Sequence, residues 1–238
     1  MLSMRTSPVW TAAAVAALVL AACTPSGSPS PSPTPSTSPS ATSLPSPTPS
    51  VTATAVPAPP VGDLVISTQG LLPLTIGVAP ETNPGAAMIT FDANACYSEE
   101  MGITEGDLGR WVTTYPLGTG LYGPSSVFAV GVNGGQIERI DIGDVSLATA
   151  EGIHIGSTLG ELMEVYPVEL QGGSGGITSH VWWIEDAHGY VVFESQNEAD
   201  WEAEPDIEDT IILIRVLAAG SDPDWGAANS GNVAGACF

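Results

Sequence analysis

The chain has 238 residues, 26 acidic side chains against four basic ones, and a formal charge of −22. It contains no lysine; its basic residues are Arg5, Arg110, Arg139 and Arg215. This excludes a sequence-independent nucleic-acid binder, which needs a basic footprint to neutralise phosphates, and a basic patch that docks on anionic lipid. Three cysteines are too few for a dense disulfide scaffold or a four-cysteine zinc site.

In chain order, the first predicted element is an apolar run over residues 9–22, preceded by Arg5. As a helix it rises about 21 Å, short of a hydrocarbon core of about 30 Å, so it reads as a signal-peptide core and not as a membrane span. The run ends in Leu20-Ala21-Ala22-Cys23. This tetrapeptide resembles the lipobox of bacterial lipoproteins, as found in uncharacterised actinobacterial-type lipoproteins. The resemblance implies that residues 1–22 are removed and that the Cys23 thiol carries a diacylglyceryl group. It also implies a lipid-anchored location on the extracytoplasmic face of the cell membrane. Two acyl chains hold stably where a single one binds only marginally.

Residues 23–60 read as the lipidated cysteine and a disordered linker. From residue 24 onward this stretch is almost entirely Ser, Pro, Thr and Ala, with 12 prolines and no charge. It cannot bury a core and offers few backbone donors. Fully extended in a polyproline-like form it would reach roughly 115 Å, enough to carry a module through a wall layer.

Residues 61–238 hold every acidic residue and three arginines, a formal −23. Two segments here share a pattern: Leu108, Trp111, Val112 and Tyr115, then Leu159, Leu162, Met163 and Tyr166, each closed by a proline (Pro116, Pro167). The spacing i, i+3, i+4, i+7 predicts one face of a short helix in each. Thr158 and Glu161 form a capping-box pattern. Each helix is followed by a hairpin. The first joins residues 126–132 to 136–142 through Asn133-Gly134, the second joins residues 180–186 to 190–194 through His188-Gly189, and a further strand follows at 210–217. The expected fold is therefore α+β, with two similar units at 61–146 and 147–238, each a short helix on an antiparallel meander. Cys96 and Cys237 are left to pair in an oxidising exterior.

The phrase from Thr149 to Thr158, with Val165-Tyr166-Pro167, is also distantly similar to the small α+β unit of the outer-membrane assembly lipoproteins of SmpA/OmlA type. Duplicated, that unit builds the β-lactamase-inhibitory-protein fold. Those families bind proteins and catalyse nothing, so the resemblance implies a non-catalytic interaction module.

Gly172-Gly173-Ser174-Gly175-Gly176 fits the G-x-S-x-G pattern in letters, but a strand is expected beyond it and five such residues favour a mobile loop over a nucleophile elbow. His154, His180 and His188 have no metal-binding spacing. An acidic run that includes Asp200, Glu202, Glu204 and Asp206 is the one candidate for a hard cation such as calcium, although it lacks EF-hand spacing. Trp182 and Trp183 must face opposite sides of a strand, and Trp111 belongs to an apolar helix face. Trp183 and Trp201 are the candidates for ligand contact. The expected role is a non-catalytic, cofactor-free module at the envelope, with a protein partner favoured over wall glycan and a secreted hydrolase as the lesser alternative. The net charge favours a basic partner, which it would steer at low salt.

Overall fold

The structure, a computed structural model, describes residues 56–175, 179–196, 209–228, 230 and 232–237. The expected signal peptide, Cys23 and most of the expected linker lie outside them. Among the described residues no helix is long and apolar enough to cross a membrane.

The strands, in chain order, begin with β1 (Val65–Ser67), β2 (Gly70–Leu72), β3 (Leu74–Thr75), β4 (Ile89–Asp92) and β5 (Arg110–Thr113). Next come β6 (Gly118–Gly120), β7 (Gly123–Ser125), β8 (Phe128–Asn133), β9 (Gln136–Ile142) and β10 (Ala148–Thr149). Among the described residues a single α-helix, α1 (Leu159–Val165), precedes β11 (Gln171–Gly175), β12 (Ser179–Glu185), β13 (Gly189–Gln196) and β14 (Ile211–Ala218). The centre is a six-stranded sheet of order β11-β12-β13-β14-β9-β8, antiparallel throughout. A four-stranded sheet, β10-β1-β2-β3, packs nearby, and β4-β5 and β6-β7 form two-stranded ribbons.

Both hairpins form, the first with its turn one residue beyond the expected Asn133-Gly134. Asn133 pairs with Gln136, so the central turn residues are Gly134 and Gly135, at φ +57° and +80°. A type I′ turn needs positive φ at both of these positions. In the second hairpin Glu185 pairs with Tyr190 and the Asp186 amide donates to Gly189 O. The strand expected at 210–217 is β14, inserted between the two hairpins so that they share one continuous sheet.

The second predicted helix is present with its full cap. Thr158 Oγ1 accepts from the Glu161 amide, and Glu161 Oε2 accepts from the Thr158 amide at 2.8 Å. Leu162 is fully buried beneath it. The first predicted helix is not formed: residues 110–113 are strand β5, paired antiparallel with β4. The physical reason lies in the residues. Leu159–Val165 is rich in Leu, Glu and Met, which favour a helix, whereas Arg110–Thr113 carries an aromatic and two β-branched residues, which favour a strand. Pairing with β4 also sets Trp111 opposite Phe91, an aromatic cross-strand pair with ring centroids 5.7 Å apart. Among the described residues the helix is thus not duplicated. The beginnings of the two expected units nevertheless lie side by side, because β1 runs parallel to β10 with Val65 opposite Ala148.

The main core lies on one face of the large sheet. Phe128, Ile140, Ile142, Val191, Phe193, Ile214 and Val216 point into it from the strands, Leu162 from α1, and Ile66, Leu71 and Leu74 from the four-stranded sheet. The other face carries a smaller apolar group, Val181, Val192 and Leu217, with Trp183 and Tyr190 packed against it.

Candidate functional site

The second sheet face carries a charged network that strand register assembles. Arg215 stands opposite Asp141 between β14 and β9, and Arg139 stands opposite Leu217 one pair along. Glu194 in β13 lies on the same face, because side chains on one strand alternate. Arg215 and Glu194 are both fully buried and paired, Nη2 to Oε1, at 2.9 Å. Glu194 also accepts from the amides of Ala227 at 2.8 Å and Ala228 at 2.9 Å, and from Ser179 Oγ at 3.0 Å. Arg139 grips Asp141 with two bonds of 2.6 Å and donates to Asn232 O at 2.7 Å, while Asp141 accepts from the Ala234 amide at 2.8 Å.

Trp225 meets both arginines. The Arg215 Cζ is 4.5 Å and the Arg139 Cζ 5.0 Å from its ring centroid, both within cation–π range. Burial pulls the Arg215 guanidinium below its usual value, against the attraction of Glu194, and burial pushes Asp141 upward against the pull of Arg139. Among the described residues Nε and Nη1 of Arg215 have no hydrogen-bond partner, while Nη2 also donates to Trp225 O. Most of these bonds run from the sheet to the chain's last residues. Their end is fastened by the expected Cys96–Cys237 disulfide, with Cα atoms 5.3 Å apart. The network is a clasp that holds the C-terminal segment on the sheet.

On the other side of the molecule a cleft of about 580 Å³ opens between the four-stranded sheet, the end of α1 and the β12–β13 turn. Its floor is apolar and includes Ile66, Val165, Ile184 and Val191. Among the described residues four carboxylates line it, Glu151, Glu169, Glu185 and Asp186, all on exposed residues, and no arginine does. Two of the four are held by neighbours. The Tyr166 hydroxyl donates to Glu151 Oε2 at 2.6 Å and lies 3.0 Å from Thr149 Oγ1, and Asp186 accepts from Thr68 Oγ1 and the His188 amide, both at 2.7 Å. The Tyr166 bond holds Glu151 below its ordinary carboxylate value, while burial and the adjacent Glu151 raise Tyr166. The cleft therefore keeps its negative charge at neutral pH and presents it above an apolar base, the arrangement that suits a cation on an aliphatic stem.

The residues singled out in the sequence fall as follows. Cys96 and Cys237 pair. Cys23, Trp201 and the calcium candidates Asp200, Glu202, Glu204 and Asp206 lie outside the described residues, among which no cluster of three or more His, Cys, Asp or Glu could hold a metal. Trp183 and Trp182 do face opposite sides: Trp183 packs on the smaller apolar group, Trp182 on the main core, its Nε1 3.3 Å from Ser195 Oγ. The expected glycine loop is instead edge strand β11, paired antiparallel with β12 and so not a strand-to-helix elbow. Its glycines serve the tryptophans. A Cβ on Gly172 would come within 2.6 Å of the Trp183 ring, and one on Gly173 within 2.9 Å of the Trp182 ring. Trp111 is partly buried, on a strand and not on a helix.

The clasp residues Glu194, Arg215, Arg139, Asp141 and Trp225 were not among the sequence candidates. Their signal was present as single charges interrupting apolar strands at positions of one parity, Asp141 between Ile140 and Ile142, Glu194 after Phe193, and Arg215 between Ile214 and Val216. The chain matches no family model, no curated protein and no solved structure.

Proposed function

We propose that this is a lipid-anchored envelope protein that displays, on a proline-rich stalk, a non-catalytic module binding a basic protein partner. Anchoring rests on the lipobox ending at Cys23, and the stalk on the uncharged Pro/Ser/Thr composition before residue 60. The observation that carries the binding role is the cleft of about 580 Å³ with an apolar floor and four carboxylates. A lysine or arginine side chain laid into it would rest its aliphatic stem on Val165 and Ile184, the partly exposed part of that floor, and bring its charged head to the carboxylates, burying methylenes without burying the charge. The field of a module at −23 would steer such a partner toward it, increasingly so as ionic strength falls.

The test is calorimetric titration of the full mature chain, made soluble by Cys23→Ser, with a Lys/Arg-rich peptide. Binding should weaken steeply between low and physiological salt, and Glu151→Gln with Glu169→Gln should weaken it further without lowering thermal stability by more than a few degrees. Equal affinity for an acidic peptide, or affinity untouched by the two substitutions, would refute the assignment.

A further inference from the structure

The geometry points to a second binding site, a groove for a neutral glycan between the β4–β5 ribbon and the C-terminal segment. It is independent of the basic-partner cleft.

The groove holds about 450 Å³, within the roughly 300–1,000 Å³ of small-molecule sites. Its outer wall is Phe91, 54% exposed although it is a large apolar residue in a regular strand. Trp111 stands beside it, edge-on at 61°, and packs on the core with its remaining surface. The floor is backbone, because Gly109, Gly131 and Gly235 all line the groove. Gly235, at φ +69°, cannot readily carry a side chain, since a Cβ there would meet Val130 O at 2.8 Å, and the tip of the Phe91 ring lies against Gly109, where a Cβ would come within 2.3 Å of Cζ. The two charged lining residues neutralise each other, Arg110 Nη1 and Asp107 Oδ2 being 3.3 Å apart, with the Asp107 side chain 90% exposed.

Each component has a counterpart in a pyranose ring. The C–H face of a sugar is weakly positive and rests against the negative face of an aromatic ring. Its hydroxyls, which donate and accept, match the exposed Asp107 carboxylate and the neighbouring Arg110 guanidinium, whose Nε and Nη1 also donate to Ala236 O, Asp107 O and Gly109 O. The charge balance selects among occupants. An anionic polymer would be repelled by a module at −23, and a cationic segment finds no net negative charge here but four carboxylates in the other cleft. An apolar peptide would strip water from the Asp107–Arg110 pair without replacing its hydrogen bonds. A neutral glycan meets none of these costs. A second cleft of about 500 Å³ shares Gly131, Gly235 and Ala236 with the groove and adds Trp225 and Asn232. A chain of several sugar rings can therefore run across the C-terminal segment from one to the other.

The test uses the full mature chain with Cys23→Ser, titrated with the neutral hexasaccharides cellohexaose and N-acetylchitohexaose and followed by calorimetry and tryptophan fluorescence. At least one should bind saturably with a dissociation constant of about 1 mM or tighter. Phe91→Ala should weaken that binding about tenfold or more, and the exposed Asp107→Asn should weaken it in the same direction. Glu151→Gln with Glu169→Gln should leave it unchanged, and Phe91→Ala should leave basic-peptide binding unchanged. Failure of both sugars to bind up to about 10 mM, or undiminished binding by Asp107→Asn together with a folded Phe91→Ala, overturns the proposal.

Discussion

Substituting Glu194 by Gln tests whether the charged clasp is as tightly determined as its geometry states. In the folded chain one Glu194 oxygen receives Arg215 Nη2 at 2.9 Å, and the pair share bonds from Ala227, Ala228 and Ser179. Gln keeps the shape but turns one acceptor into a donor facing donors, and leaves Arg215, fully buried, without its formal counter-charge. Breaking one side of a buried pair costs about 3–5 kcal/mol. For a domain of this size that corresponds to a fall in Tm of about 6–20 °C. Arg215→Met added to Glu194→Gln should then recover much of the loss. It removes the unpaired cation while the Gln carbonyl oxygen can still accept from the Ala227 and Ala228 amides. Thermal and urea unfolding of wild type, both single variants and the double variant give the coupling directly. The reasoning fails if Glu194→Gln costs less than about 1 kcal/mol, or if the second substitution makes it worse. Limited proteolysis adds a local readout, since cleavage in residues 222–236 should accelerate first in Glu194→Gln.

Replacing both Cys96 and Cys237 by Ser opens a link spanning 141 residues, for which loop-closure entropy sets a ceiling of about 5 kcal/mol; the melting temperature should fall substantially, without a shift on adding reductant. Gly172→Ala places a Cβ 2.4 Å from Val181 O at φ +101°, so it should cost about 1–3 kcal/mol and loosen amide-exchange protection along β11, whereas Ala at Gly134 meets no atom and should cost only about 1 kcal/mol. Because Glu151 sits below its ordinary value of 4.5 in the folded chain, its contribution is fully present above that pH and is lost as pH falls through the folded value; Tyr166→Phe should flatten this acid limb of the stability profile. Tyr166 itself is raised, so its contribution is full below its ordinary value of 10.0 and fades as pH rises above it, and the same Tyr166→Phe variant should be less sensitive to alkali than wild type.

The local signals in the sequence that carried a complete mechanism were the ones that held. The Thr158–Glu161 box specified a helix start because it encodes its own hydrogen bonds, and the turn signals located two hairpins, the first turn falling one residue further on and the second forming without a positive φ at Gly189. The helix expected around Trp111 rested on periodicity alone, and four apolar positions over eight residues fit a strand with flanking turns as well. What decided between them was the distant partner Phe91 in β4, which periodicity does not contain. The glycine run near Ser174 looked like a loop because glycine count says nothing of what occupies the missing Cβ volume; here it is Trp182 and Trp183. The clasp depends on the register between β9, β13 and β14, and the acidic cleft gathers residues from β1, α1 and the β12–β13 turn. Such sites arise only once the sheet order places β14 between the two hairpins.

The central claim is that the carboxylate-lined cleft is the surface a basic partner occupies at the envelope. A photo-crosslinking residue in place of Glu169, in the full chain in intact cells, tests it most directly, with the same residue at exposed Leu117, outside the cleft's lining, as the control. The account predicts one dominant adduct from position 169, mapping by mass spectrometry to a segment rich in lysine or arginine, and competition by free basic peptide. Adducts of equal yield from both positions, or a captured segment without basic residues, would contradict it.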